Sequence, residues 1–113
     1  MRLLICGGRN YRDVHVVRAV IEALAPRLVI TGDATGADAC AAKMAELLGI
    51  ETIICDADWE THGRAAGPIR NAEMLEKHRP DLVIAFPGGR GTADMMAKAG
   101  KAGVRVRKVG VGW

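Results

Sequence analysis

The stretch Phe86-Pro87-Gly88-Gly89-Arg90-Gly91-Thr92-Ala93-Asp94 sets three glycines and a hydroxyl residue between an apolar run and a helix-forming segment. Glycines let the main chain approach a ligand closely and reach positive φ, so their N–H groups and a following helix N-terminus can converge on an anion. The chemistry this allows is phosphate binding, with Pro87, Gly88, Gly89, Arg90, Gly91 and Thr92 as candidate ligand-binding residues. No GxxxxGK[ST] occurs, which excludes a P-loop. Read from Gly89, a dinucleotide fingerprint would need its third glycine where Asp94 stands. Two further segments share the character: Gly7-Gly8-Arg9-Asn10-Tyr11, and Thr31-Gly32-Asp33-Ala34-Thr35-Gly36-Ala37-Asp38. Gly7, Gly8, Arg9 and Tyr11 in the first and Gly32, Thr35, Gly36 and Asp38 in the second are candidates for the same site. Arg9 and Arg90 would supply charge-assisted donors to phosphate or carboxylate oxygens.

A third cluster lies at Trp59, His62, Arg64, Gly67, Arg70, Asn71 and Met74. Arg70 and Asn71 read as the first turn of a helix. Cations there oppose the helix dipole unless an anion or acid is near, which points to use. Trp59 either stacks on a purine or covers core, and His62 is either a general base or a solvated loop residue. The three histidines (His15, His62, His78) sit in separate elements without a ligand spacing, so no metal site is expected. Cys6, Cys40 and Cys55 fit neither a disulfide framework nor CxxC chemistry and read as buried thiols.

The elements that must position these residues alternate in the manner of βαβ units around a parallel sheet. Strands are expected at Leu3–Cys6, Leu28–Thr31, Thr52–Cys55, Leu82–Phe86 and Val104–Val109, the last with a Val/Arg alternation that implies one wet face. Between them, residues 13–25 place Val17, Val20, Ile21 and Leu24 on one helical face. A second helix over 35–48 buries Ala41, Met44, Ala45 and Leu48 and stops at Gly49. Residues 56–67 have no period and read as a long irregular loop. Pro68 opens a third helix to about His78, and Thr92 a fourth to about Ala102. In such a sheet all strand C-termini share one rim, where open α/β folds bind ligands. The three glycine loops would meet there.

A chain of 113 residues, half of them apolar and 26% charged, has the composition of one globular domain spanning 1–113. Its apolar runs fall far below the ~20 residues of a bilayer span. The N-terminal apolar stretch is too short for a signal peptide, so a cytoplasmic location is expected. The net charge of +3 is not evenly spread. Through residue 94 there are 11 Lys/Arg against 13 Asp/Glu, while Lys98, Lys101, Arg105, Arg107 and Lys108 follow with no acid. A basic edge strand accounts for this more simply than nucleic acid does, because with four aromatic residues there is no evident base-stacking surface.

The chain resembles the SLOG superfamily, and within it the small YspA-like or DUF2493 domains. The resemblance rests on Gly7-Gly8-Arg9-x-Tyr11-x-Asp13, Thr31-Gly32-x-Ala34-x-Gly36-Ala37-Asp38, Ala57-Asp58-Trp59, Gly63-Arg64-Ala65-Ala66-Gly67-Pro68-x-Arg70-Asn71-x-x-Met74-Leu75 and Ala85-Phe86-Pro87-Gly88-Gly89-x-Gly91-Thr92. It implies a Rossmann-like three-layer sandwich with a five-stranded, mainly parallel sheet, a nucleotide-derived ligand and a homodimer, with no separate cofactor. Two departures stand out. Thr35 replaces an arginine usual in the second loop, where Asp33 would repel an adjacent phosphate. Met95 occupies the position of the glutamate that the related Lonely Guy phosphoribohydrolases carry, and methionine cannot assist N-glycosidic cleavage. Asp94 is adjacent, but about 100° around the helix it is expected to face elsewhere. The resemblance therefore implies a binding module for a nucleoside phosphate or ADP-ribose-like ligand. The alternative is a nucleoside 5′-monophosphate phosphoribohydrolase using Arg70 and Asp94.

Overall fold

Main-chain polar groups must be paired when buried, and short β-branched runs meet that need by pairing side by side. The computed structural model describes residues 1–111 and 113. Among them, β1 (Arg2–Cys6), β2 (Leu28–Gly32), β3 (Glu51–Cys55), β4 (Leu82–Ala85) and β5 (Arg105–Lys108) form one parallel sheet in the order β3-β2-β1-β4-β5. The central strands are buried on both faces, as their continuous apolar sequences require.

Helices cover the two faces in pairs. Leu3, Ile5, Val29 and Ile84 point to the side of α1 (Val14–Leu24) and α2 (Ala37–Leu47), where Val17, Ile21, Ala41 and Met44 meet them. The intervening Leu4, Cys6, Ile30, Val83 and Ala85 point to α4 (Ala66–His78) and α5 (Arg90–Lys101), against Met74, Met95 and Ala99. This Rossmann-like three-layer arrangement matches the expected fold class. Because β1 and β4 are neighbours whose following helices, α1 and α5, leave on opposite faces, a crevice opens between their C-terminal ends.

Several boundaries differ from those read in the sequence. Residues 56–67 are not an irregular loop: α3 (Trp59–His62) and a 3-10 turn (Gly63–Ala65) run into α4. Asp58 caps α3, accepting from the Thr61 N–H at 3.1 Å, and a four-residue helix is too short to display a 3.6-residue period. Helix α4 thus starts at Ala66, which puts Arg70 in its second turn and Pro68 third. Helix α5 starts at Arg90 rather than Thr92, and α2 at Ala37 rather than Thr35, each with a glycine as N-cap. Cys6 and Cys40 are buried, but Cys55 on β3 is only partly so. The exposed Arg105, Arg107 and Lys108 lie on the edge strand β5, while Val106 packs inward.

One turn fixes the rim. Gly36 has φ +77°, and a methyl there would overlap the Gly8 carbonyl oxygen and come within 2.5 Å of Arg9 main-chain atoms. Gly49 has a similar φ of +71° but open space around it. Gly36→Ala is therefore expected to cost about 3 kcal/mol or more and Gly49→Ala about 1 kcal/mol. Urea unfolding of the two variants measures the difference; equal losses would mean that the contact with the β1 loop carries no stability.

Candidate functional site

The crevice is a cleft of about 950 Å³ over the C-terminal ends of β1, β2 and β4, near the upper end of the range for small-molecule sites. Gly7, Gly8 and Arg9 enter it from the β1 loop, and Gly32, Asp33, Thr35 and Asp38 from the β2 loop. Trp59, Arg64, Arg70 and Asn71 form the α3–α4 wall. Gly89, Arg90, Gly91 and Thr92 complete it from the start of α5. The three glycine loops and the Trp59–Asn71 cluster therefore do come together.

Five candidates do not line this cleft: Tyr11, Gly36, His62, Pro87 and Gly88. Tyr11 packs its ring on Phe86, centroids 4.9 Å apart, and faces a shallower depression beside Pro87 and Gly88. Pro87 braces the rim, its carbonyl accepting the Gly8 N–H at 2.9 Å, and Gly36 is the N-cap of α2. His62 is exposed on α3 and outside the cleft. Among the described residues, no group of three or more His, Cys, Asp or Glu side chains is placed to hold a metal ion.

Three helices, α2, α4 and α5, bring first-turn residues to the cleft. Helix α4 continues from the 3-10 turn, with the Ala66 N–H already bonded to the Gly63 carbonyl, while α2 and α5 start from glycine caps and differ in charge. Helix α2 has Asp38 in its first turn. The Asp38 carboxylate accepts from the Ala34 N–H at 3.2 Å and lies 3.1 Å from the Thr31 hydroxyl, which also reaches the Ile5 carbonyl at 2.9 Å. Burial pushes the Asp38 carboxyl above its ordinary value, opposed by the Ala34 N–H, the Arg70 charge and the Thr31 hydroxyl. The α2 terminus is thus occupied by the protein's own acid. Helix α5 has neither a side-chain cap nor an acid in its first turn, and its first three residues all line the cleft. An anionic ligand group is favoured at α5, where the dipole is uncompensated.

Arg70 crosses the floor. Its Nη1 donates to Asp33 Oδ1 at 3.0 Å and to the Cys55 carbonyl at 3.2 Å, while Nε donates to Asn71 Oδ1 at 3.3 Å. The acid that Arg70 meets is Asp33, 37 residues away, although Arg70 is not in the first turn expected from the sequence, and no local sequence signal links the two. Room for this pair depends on Gly32, where a methyl would sit 2.5 Å from the Arg70 guanidinium and 2.6 Å from Asp38. The buried Asn71 continues the network, donating from Nδ2 to the Gly91 carbonyl at 3.2 Å and to Asp94 Oδ2 at 3.0 Å. Lys98 holds the same carboxylate from one turn on.

Asp94 does not face elsewhere, as one-helix geometry implied. It lines the cleft beside the buried Met95, because α4 forms the wall on its side and Asn71 reaches across to it. At the mouth, the Arg9 guanidinium lies 5.7 Å from the centre of the half-exposed Trp59 ring, so Trp59 is not core cover. Cys6, at the base, has its thiol pushed up to about 12 by burial, and is inert as a nucleophile.

A parallel sheet with a glycine-lined cleft at its switch point defines a Rossmann-like protein. The chain belongs to the YspA, cpYpsA-related SLOG family, whose sequence profile matches residues 1–62. It is 38% identical to the Gene 61 protein of Mycobacterium phage D29 over 96% of each chain. Among solved structures it is similar in fold to the UDP-GlcNAc 2-epimerases of Neisseria meningitidis (TM-score 0.62, 15% identity) and Methanocaldococcus jannaschii (0.58, 16%). The whole chain is covered in both cases, but it spans only 33% and 32% of those proteins.

The buried carboxyl gives a pH test. A folded value above the ordinary 3.8 means that folding favours protonated Asp38. That contribution is complete below pH 3.8 and lost as pH rises through the folded value. Asp38→Asn, which keeps an acceptor for Ala34 and a donor for Thr31, should gain stability relative to wild type between pH 4 and 7. Asp38→Ala should lose about 1–3 kcal/mol, from the unpaired Ala34 N–H. Denaturant unfolding at the two pH values reads both; a pH-independent Asp38→Asn difference would contradict the shift.

Proposed function

We propose that this protein is a binding module for a nucleotide or nucleotide-derived ligand, a nucleoside phosphate or an ADP-ribose-like molecule, held at the glycine-rich rim. The observation that carries the reading is the uncapped, acid-free N-terminus of α5 opening into the cleft, beside an α2 terminus already filled by Asp38. In this reading the main chain at Gly89, Gly91 and Thr92 and the side chain of Arg90 hold the phosphate, with Gly7, Gly8 and Arg9 opposite. Trp59 takes the base on its face, displacing the Arg9 guanidinium that now rests there. Arg64 lies at the same wall. A homodimer belongs to the proposal through the family resemblance. A cytoplasmic location is supported by the three free cysteines.

Thermal-shift measurements with AMP, ADP-ribose, cyclic ADP-ribose isomers and cyclic dinucleotides should reveal a stabiliser. A ligand at a hundredfold excess over Kd adds about 2.7 kcal/mol to the folded state. Arg90→Ala should weaken that ligand about tenfold, the scale of one charge-assisted contact. With Trp113→Phe removing the second indole, the ligand should also change the Trp59 emission. No shift with any of these compounds would refute the reading.

A second reading is favoured by the placement of Asp94 in the cleft: hydrolysis of a nucleoside 5′-monophosphate to free base and ribose 5-phosphate. Here Asp94 would stabilise positive charge at C1′ and Arg70 would help hold the substrate. Incubation with AMP and chromatography for adenine decides between them. Adenine that vanishes in Asp94→Asn and Arg70→Ala supports hydrolysis, and no adenine at high protein concentration leaves the binding module.

A further inference from the structure

The opposite ends of the cleft carry opposite character. The α5 end offers uncapped N–H groups and Arg90, whereas the β2 end offers Asp33, with Asp38 buried beside it. Arg70, which bonds to the β2 loop, has 13% side-chain exposure and its charge is matched by Asp33. Arg70 is thus no phosphate receptor as it stands. Asp33 spends one oxygen on it: Oδ1 accepts from Arg70, and no protein group among the described residues bonds Oδ2. The Asp33 side chain is 34% exposed and lines the cleft. An ionised carboxylate is an acceptor only, so this free oxygen takes hydroxyl groups and has no hydrogen to offer a phosphate.

The separation of the two ends is set by the sheet. One strand, β1, lies between β2 and β4, so the tips of β2 and β4 are about 9.6 Å apart, twice the strand spacing. A ribose ring with its 5′-phosphate covers that span, directing the vicinal 2′- and 3′-hydroxyls toward β2 when the phosphate is at α5. A carboxylate beside a glycine turn at this point of a Rossmann-like sheet can accept from both hydroxyls.

We propose that Asp33 is a specificity-determining residue, reading the free 2′,3′-diol of a 5′-phosphorylated ribose and refusing a second phosphate at that end. The proposal rests on the placement of the phosphate at α5 given above, and narrows it to ligands carrying a 5′-phosphoribosyl group with an unmodified diol. It also gives Asp33 and Arg70 a joint task. Arg70 holds the carboxylate in place, and through Asn71 the same network reaches the Gly91 carbonyl in the first turn of α5.

Isothermal titration of the full chain with AMP, 2′,3′-dideoxy-AMP and adenosine 2′,5′-bisphosphate tests this. Wild type should bind AMP about tenfold or more tightly than either analogue, the scale of a hydrogen bond to a charged group. In Asp33→Asn and Asp33→Ala the preference for AMP over the dideoxy compound should fall to roughly twofold, and the bisphosphate should gain about tenfold. The wild-type ligand series is decisive even if a variant folds poorly. AMP and dideoxy-AMP binding equally would overturn the role of Asp33 and leave the phosphate site intact, as would a preference that persists undiminished in both folded variants. No binding of any of the three would overturn the role of Asp33, while the phosphate reading would stand or fall on the thermal-shift series.

Discussion

The rim is tied together through the main chain of one residue. The Gly8 N–H donates to the Pro87 carbonyl, and the Gly8 carbonyl accepts from both Tyr11 and Ala37. A single peptide neighbourhood thereby joins the end of β1 to the end of β4 and to the first residue of α2. Side chains cannot substitute for this, because the three segments approach more closely than any Cβ would allow. Gly7, Gly8, Gly36 and Gly88 follow from that proximity, whereas Gly89 and Gly91 have open space around them. The same proximity makes the cleft a preorganised cavity rather than a gap between mobile loops, since each wall is hydrogen-bonded to its neighbour.

On this frame the electrostatics are arranged by subtraction. Both α2 and α5 offer the partial positive charge of a helix start, and the protein cancels one of them with Asp38. It likewise brings a guanidinium to the floor and cancels it with Asp33. The start of α5, with Arg90 as its first residue, is left without an acid or a side-chain cap. The polar chain Asp33–Arg70–Asn71–Asp94–Lys98 then fixes the floor across three separate segments, so the position of α4 relative to α5 is tied to the β2 loop.

The sheet and its order of elements were legible because central parallel strands are continuous apolar runs and α1 and α2 carry their stripes openly. The gathering of the glycine loops on one rim followed from strand direction alone. What escaped the sequence was of two kinds. Helix α3 is a single turn, too short to have a period, and only its Asp58 cap distinguished it from a loop. The Asp33–Arg70 pair and the orientation of Asp94 depend on contacts between elements far apart in the chain. Treating α5 as an isolated helix left out the α4 wall that turns Asp94 toward the cleft. An acid does meet Arg70, but the first-turn placement that called for one does not hold, since Arg70 lies in the second turn of α4.

The division between the two helix starts also bears on how such a scaffold diversifies. Asp38 is a resident acid, held by the Ala34 N–H and the Thr31 hydroxyl and largely buried at the cleft wall. A lineage that exchanged it for a small neutral residue, and regained a basic side chain in the position of Thr35, would open a second anion socket two strands from the first without moving any backbone. Which helix starts of such a fold stay open to an anion is in this sense set by which of its own carboxylates it keeps, and that can change while the architecture stays constant.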